Sequence, residues 1–169
     1  MNTFTLVSPD SFDFSPFQMI GKDWFAVTAE KDGKFNAMTA SWGGLGIMWG
    51  KNAAFIVIRD SRYTKECLDA SEFFSLAVFG EEKYRKALGY LGKASGRDED
   101  KLTTAGLTVS YHKNIPYIEE ASCIFLCRKL CCQKITPESF LDPSIQDTWY
   151  RDKDYHNLYI AEITGVLKK

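Results

Sequence analysis

The sequence lacks the features that mark most membrane, secreted and nucleic-acid-binding proteins. Its first residues contain no basic segment followed by an apolar core, and no apolar run approaches the roughly 18 residues that a membrane helix needs. The 21 Lys and Arg residues nearly balance the 22 Asp and Glu residues, so no overall charge attracts nucleic acid or an anionic membrane. We therefore expect a cytoplasmic protein with neither nucleic acid nor a membrane as a partner.

Common nucleotide-binding and nucleophile motifs are also missing. No P-loop is present, and no G-x-G-x-x-G connects a strand to a helix. The glycines of GGLGIMWG, residues 43–50, have the wrong spacing for either motif. No combination of Ser, Cys, His and Asp has the signature of a nucleophile beside its base. The sequence thus gives no indication of covalent catalysis.

The five cysteines do not follow a metal-binding pattern. Four of them cluster at Cys123, Cys127, Cys131 and Cys132, without the C-x2-C pairs or the following His pair of common zinc sites. On a strand, three of these thiols would point to one face, as small packed hydrophobic residues do. We expect reduced thiols and no metal, with a soft-metal thiolate site as the alternative.

Length and pattern predict a single domain over residues 1–169 that is mainly β, in the α+β class. Many β-branched and aromatic runs with few short helices, and no regular βαβ alternation, favour a barrel-like body with helical insertions. The predicted strands are 25–29, 35–41, 53–58, 73–79, 107–111, 117–118, 121–135 and 157–167. We also predict a helix over 81–91, a short helix through Thr104 capped by Asp98, and loops after residue 44 and over 142–154.

Three stretches are candidates for a binding site. In Asn36–Gly44 (NAMTASWGG), small hydroxyl and apolar side chains alternate, so a flat polar ligand could approach the backbone closely; an edge strand with a loose glycine loop is the alternative. RDSRYT (59–64) and GKASGRDEDK (92–101) each place cations beside hydroxyls at a helix start, which suits a phosphate monoester. The alternative for both is a solvated turn. Together the three stretches could hold a flat heterocycle with a phosphate tail.

The order of these motifs resembles the flavin reductase-like family. NAMTASWG, a buried strand ending in R-x-SRYT, then FFSLAVFG and YLGKASGRDEDK carry the resemblance, and the final DYHNLYIAEITGV is similar to the family's closing G-D-H motif. The resemblance covers most of residues 25–166. It implies an FMN-binding split β-barrel, similar in fold to the pyridoxamine-phosphate oxidases, and a homodimer with FMN as cofactor.

The resemblance also implies roles for individual residues. The isoalloxazine ring would be lined by Met38, Thr39, Ala40, Ser41 and Trp42, with Asn36 structural. The ribityl phosphate would be held by Arg59, Arg62, Tyr63 and Thr64. Closing over the cofactor would be Ser95, Gly96, Arg97 and Lys101. His156 would match the family histidine near the nicotinamide and is the candidate catalytic residue, although Tyr155 and Asp154 stand where the motif has Asp and Gly.

The implied function is an FMN-dependent oxidoreductase that accepts a hydride from NAD(P)H. It would pass electrons to free flavin, iron or another small acceptor. Departures from the family pattern at Tyr155 and at residues 48–51 motivate a second hypothesis, a flavoredoxin-like FMN electron carrier that a partner protein reduces. A third hypothesis is a split-barrel binding module without a cofactor.

Overall fold

The computed structural model describes residues 3–11 and 13–169, and antiparallel strands form most of it. The strands are β1 (Thr5–Val7), β2 (Phe25–Lys31), β3 (Lys34–Ala40), β4 (Gly43–Met48), β5 (Lys51–Arg59), β6 (Phe73–Val78), β7 (Val109–His112), β8 (Ile115–Ile118), β9 (Cys123–Lys134) and β10 (His156–Lys168). The α-helices are α1 (Pro16–Gln18), α2 (Tyr63–Ala70), α3 (Arg85–Leu91), α4 (Lys101–Thr104) and α5 (Pro143–Trp149). Short 3-10 turns cover Pro9–Ser11, Glu82–Tyr84 and Pro137–Ser139, and a π-helical turn covers Met19–Asp23.

The main sheet curves until its two ends meet. Its strands pair in the order β3-β2-β6-β9-β10-β5-β4, with β1 beside β10, so β3 and β4 stand at opposite ends. Yet only Ser41 and Trp42 separate these two strands in the chain. Three residue steps span at most about 11 Å, so the ends adjoin as in a barrel. Among the described residues, β3 and β4 form no ladder with each other.

Tight two-residue turns set the strand registers. Asp32-Gly33 joins β2 to β3, Trp49-Gly50 joins β4 to β5, and Lys113-Asn114 joins β7 to β8. Both residues of each turn have positive φ, between 46° and 73°. This is the type I′ geometry whose twist matches that of paired strands. The side-chain alternation in each hairpin is therefore fixed by its turn.

Both faces of the central part of the sheet are buried. Alternate residues of β2 divide between two clusters, with Phe25 and Val27 on the face that packs α2 and Ala26 on the face that packs α3. Each large apolar side chain buried in these clusters contributes about 1.5–3 kcal/mol. The β7–β8 hairpin is pinned to the second face, where Thr28 and Ser75 hydroxyls donate to the Pro116 carbonyl at 3.1 and 2.7 Å. These layers leave the start of α2 and the end of α3 beside β3.

The predicted fold class, mainly β with short helical insertions, is confirmed. Three local predictions are wrong. The glycine-rich residues after Trp42 form the edge strand β4, and residues 143–149 of the predicted loop form α5. The short helix before Gly106 is capped by Asp100, whose carboxylate accepts from the Thr103 amide, and not by Asp98. Within the described part of the chain, no helix has the length and apolar character that crossing a membrane requires.

Gly43 directly follows the two-residue connection from β3 and is the first residue of β4 to pair with β5. Its φ is 143°, and a Cβ at this position would lie 2.1 Å from the Phe55 carbonyl oxygen. We predict that Gly43→Ala destabilises the protein by on the order of 3 kcal/mol, because backbone strain adds to a clash with main chain. Urea unfolding measures the loss.

The matched control is Gly44→Ala in the same strand. A Cβ there meets no atom within 4 Å, so the change should stay within about 0.5 kcal/mol. Equal stability of the two variants would show that the connection does not require glycine at residue 43.

Candidate functional site

Two small cavities adjoin where the sheet closes. The first, of about 210 Å³, is named here the aromatic cavity and is lined by Met38, Thr39, Ala40, Ser41, Trp42, Val57, Arg59, Arg62, Trp149 and His156. The second, of about 160 Å³, is named the cationic pocket and is lined by Met38, Ser61, Arg62, Tyr63, Thr64, Lys93, Ala94, Ser95, Gly96, Arg97 and Lys101. Met38 and Arg62 line both. Every site residue proposed from the sequence therefore lies on one cavity or the other.

The cationic pocket lies between the start of α2 and the end of α3. Arg62 is the N-cap residue of α2, whose first amides have no partner within the helix. One Arg62 guanidinium nitrogen donates to the Gly92 carbonyl at 3.0 Å. The Lys101 ammonium donates to the carbonyls of Leu91 and Ala94 at 3.2 and 3.1 Å. Both cations are thus held in place by main-chain oxygens.

Lys101 and Arg62 carry positive charge that no carboxylate neutralises. Lys101 is only 3% exposed, and its burial, with the charge of Arg62 as a smaller cause, lowers its pKa to about 8. Neither side chain forms an ion pair among the residues that the structure describes. Burying unpaired charge is costly, so this pocket is suited to an anion that would complete it.

Arg97, on the same pocket, is different because its charge is already matched. Its guanidinium donates to the Glu66 carboxylate at 2.5 and 3.1 Å and to the Ser61 carbonyl at 3.1 Å. These bonds to Arg97, followed by that from Lys31, hold the pKa of Glu66 below its usual value. Arg97 also lies 5.4 Å from the centre of the Tyr63 ring. It therefore closes the loop over α2 and is less available to an anion than Arg62 and Lys101.

The loop that precedes α4 and Lys101 packs tightly against β3. A Cβ at Gly96 would lie 2.1 Å from Asn36 Oδ1 and 3.1 Å from the Tyr63 ring, so only glycine fits there. Asn36 is buried and donates from Nδ2 to the Thr64 hydroxyl at 2.7 Å. This bond connects β3 to α2, so Asn36 has a structural role. Because the Thr64 hydroxyl accepts here, its own proton is available for donation to another acceptor.

Aromatic rings form one wall of the aromatic cavity. The Trp42 ring lies edge-on to Trp149, with centroids 4.9 Å apart, and 5.2 Å from the His156 ring. Across the cavity, the Thr39 hydroxyl donates to the Leu88 carbonyl of α3 at 2.6 Å. Thr39 therefore lines the cavity, but its hydroxyl proton is already donated to a main-chain carbonyl. Trp149 belongs to the segment predicted as a loop, and no sequence motif identified it.

Arg59 departs from the placement that the family resemblance implies. It lines the aromatic cavity, whereas Arg62, Tyr63 and Thr64 line the cationic pocket. Its guanidinium donates to the Trp149 carbonyl at 2.8 Å, to the Asp154 carbonyl at 3.1 Å and to the Asp152 carboxylate. The described contacts of Arg59 thus hold residues 149–154 against β5.

His156 sits opposite Arg59, as its direct partner in the pairing of β10 with β5. Its Nδ1 lies 2.8 Å from the Tyr150 hydroxyl. Burial, with the charge of Arg59 as a smaller cause, lowers the pKa of His156 to about 4, although the Asp154 carboxylate opposes the shift. The imidazole is therefore neutral at physiological pH.

A larger cleft of about 880 Å³ lies on the far side of the loop, between residues 33–36 and 96–109. It mixes Lys34, Arg97 and Lys101 with Asp98, Glu99 and Asp100, so its charges balance and it has no net preference for an anion. No group of three or more His, Cys, Asp or Glu side chains within residues 3–11 and 13–169 is arranged to hold a metal ion.

Comparisons with known proteins identify similar folds. A sequence search of curated proteins finds no match. Among solved structures, an FMN-binding domain of a flavin reductases-like enzyme from Shewanella baltica matches with a TM-score of 0.72 at 19% identity, covering 99% of this chain and 78% of that one. A flavoredoxin from Methanosarcina acetivorans matches at 0.67 and 19%, covering 96% and 74%. An FMN-binding protein from Thermus thermophilus with bound p-hydroxybenzaldehyde matches at 0.65 and 20%, covering 96% and 78%.

The sequence profile of the flavin reductase like domain matches residues 20–168, which is nearly the whole chain and includes both cavities. The expected FMN cofactor agrees with this profile and with the FMN-binding proteins among the matched structures. The chain belongs to the flavin reductase-like family.

Proposed function

We propose that this protein is an FMN-dependent oxidoreductase that takes a hydride from NAD(P)H and passes electrons to flavin, iron or another small acceptor. The observation that carries the proposal is the unneutralised pair of Arg62 and Lys101 in a pocket that adjoins an aromatic cavity. In a ligand that joins a phosphate to a flat ring system, the phosphate would supply negative charge to the cationic pocket. The ring system would supply a planar group to the aromatic cavity. Family membership supports the same cofactor.

The cationic pocket would hold the phosphate of FMN. Arg62 and Lys101 would supply charge, and the Thr64 and Ser95 hydroxyls would supply further donors, whereas the Ser61 hydroxyl already donates to the Asp154 carboxylate. The first amides of α2 lie beside them, and a helix N-terminus favours a negative group. Because Arg62 lines both cavities, it would also set the distance between phosphate and ring.

The aromatic cavity would hold the isoalloxazine ring. Residues 38–42 present main-chain amides and the Ser41 hydroxyl to the polar edge of such a ring, where donors stabilise developing negative charge. Bound FMN supplies the hydride-accepting chemistry, at N5 of the ring. The remaining task of the protein is to align the nicotinamide with the ring, which needs orientation and no acid or base catalyst. Trp42 and His156, whose ring centroids lie 5.2 Å apart at this cavity, would provide that alignment.

Trp149 favours one alternative, a flavoredoxin-like carrier that a partner protein reduces. Its ring is 51% exposed and packs edge-on against Trp42 at the wall of the aromatic cavity. There it would narrow the space open to a nicotinamide while remaining accessible to a partner. The two candidates share the FMN site and differ in the electron donor.

Removal of the Lys101 charge tests the phosphate site. We predict that Lys101→Met weakens FMN binding by about 1.5 to 3 kcal/mol, roughly 10- to 150-fold, because a charge-assisted bond is lost. The control, Lys65→Met, makes the same chemical change in α2, where the lysine pairs with Asp69 and does not line the pocket. Isothermal titration of the apo-protein with FMN measures both.

The same titration has a pH signature. In the free protein Lys101 loses its proton near pH 8, so the affinity for FMN should fall as the pH rises through that value. The decline should disappear in Lys101→Met and persist in Lys65→Met. An Lys101→Met variant with native affinity and the native pH profile would place the phosphate elsewhere.

Anaerobic reduction tests the electron donor. We predict that NADH or NADPH bleaches the long-wavelength absorption band of the FMN-loaded protein in the absence of oxygen, because the proposed reaction transfers a hydride from the nicotinamide to the ring. A control with free FMN at the same concentration sets the uncatalysed rate. FMN that binds but is not bleached by either nucleotide would reject the reductase and favour the carrier.

A further inference from the structure

We propose that Tyr150 is a positioning residue, whose hydroxyl donates to His156 Nδ1 and fixes the imidazole as the tautomer whose Nε2–H opens on the aromatic cavity. Nothing in the sequence motifs marks Tyr150, which lies outside all three candidate stretches. The consequence for hydride transfer rests on the proposed function, whereas the hydrogen bond and the tautomer do not.

The Tyr150 and His156 side chains are hydrogen-bonded to each other and shielded from water. The hydroxyl oxygen and Nδ1 are 2.8 Å apart, and the two rings meet edge to face at 86°. Tyr150 is 7% exposed and His156 is 8% exposed, so water does not compete for the bond. A hydrogen bond shielded in this way is stronger and more directional than one at the surface.

Burial and the surrounding charges favour a neutral imidazole, and burial favours a protonated phenol although the charge of Arg59 opposes it. Arg59 and Arg62 disfavour a positive imidazolium, and the carboxylates of Asp154 and Asp152 offset only part of that effect. Burial raises the pKa of Tyr150, so its hydroxyl keeps the proton. A neutral imidazole has one donor and one acceptor nitrogen. Donation from the hydroxyl to Nδ1 satisfies the phenol and leaves the imidazole proton on Nε2.

The position of Nε2 follows from what it does not contact. Among the described residues, Nε2 has no hydrogen-bond partner. In this part of the chain, the one fully buried side-chain nitrogen or oxygen without a partner is Tyr90 Oη. Nε2, which also has no partner, is therefore not fully buried. Since His156 lines the aromatic cavity, Nε2–H is the donor that this side chain offers there. Its acceptor would be an oxygen of a bound ligand, such as the carboxamide of a nicotinamide.

Other groups hold Tyr150 in position. Its ring stacks on Tyr155, with centroids 5.0 Å apart and planes at 15°, and the Arg59 guanidinium lies 5.4 Å from its centre. Arg59 also binds the carbonyl of the preceding residue, Trp149. Loss of the Tyr150 hydroxyl alone should therefore leave the ring in place.

Nitrogen-15 NMR of histidine-labelled protein tests the proposal. The chain has two histidines, and His112 is the other, so assignment needs one His112→Gln spectrum. At neutral pH we expect His156 as the neutral Nε2–H tautomer, with Nδ1 shifted upfield as a hydrogen-bond acceptor. In Tyr150→Phe, Nδ1 should move downfield as that bond is lost.

Tyr155→Phe is the matched control. It removes a hydroxyl from the same cluster, but this hydroxyl donates to Gln146 at 2.9 Å, so the His156 signals should not change. A protonated His156 or an Nδ1–H tautomer in the unmodified protein would overturn the proposal without any variant. An identical His156 spectrum in Tyr150→Phe would also overturn it.

Kinetics of the FMN-loaded protein give the functional consequence. Tyr150→Phe should lower kcat/KM for the nicotinamide by about 3- to 10-fold, as expected when one neutral hydrogen bond no longer orients its partner. FMN affinity should be unchanged. If the unmodified protein does not oxidise NADH or NADPH, the proposed function fails while the NMR result still decides the role of Tyr150. An unaltered kcat/KM with an altered spectrum would reject the link to hydride transfer.

Discussion

The structure depends on one short connection. Ser41 and Trp42 alone join β3 to β4, the two strands at opposite ends of the main sheet, and so require the sheet to curl until its ends meet. The strands do not pair there, and the gap is lined by the residues that make the connection. Gly43 completes the crossing at a φ that only glycine adopts without strain. Both cavities share Met38, just before this connection, so the fold and the site follow from the same constraint.

The charges at the gap fall into two groups. Arg97 is matched by Glu66, and Arg59 by Asp152 and main-chain carbonyls, so these arginines hold segments of the chain together. Arg62 and Lys101 are bound only by carbonyls and face the same pocket. An anion-binding site keeps cations that have no carboxylate partner, whereas a structural ion pair neutralises its cation. We therefore propose a phosphate site beside Arg62 and Lys101.

Much of the fold and of the candidate site could be predicted from the sequence, and the features that could not be predicted have physical causes. The β2–β3 hairpin and the candidate stretches could be predicted because alternation and turn residues are local signals. Strand β4 was not predicted, because its glycines are poor strand formers and only the pairing with β5 makes it a strand. Tyr150 and Trp149 reach the site through the packing of a segment between β9 and β10, which no local pattern encodes. Likewise, only tertiary contacts show that Arg59 is paired with Asp152, whereas Arg62 meets no carboxylate among the described residues.

The central claim is that Arg62 and Lys101 bind the phosphate of a flavin whose ring lies in the aromatic cavity. Riboflavin has the same ring and ribityl chain as FMN and lacks the phosphate. Calorimetric titration of the apo-protein with both compounds therefore isolates the phosphate term. The account predicts that FMN binds at least about 10-fold more tightly than riboflavin, with the difference shrinking in Lys101→Met. Equal affinities for FMN and riboflavin would contradict it.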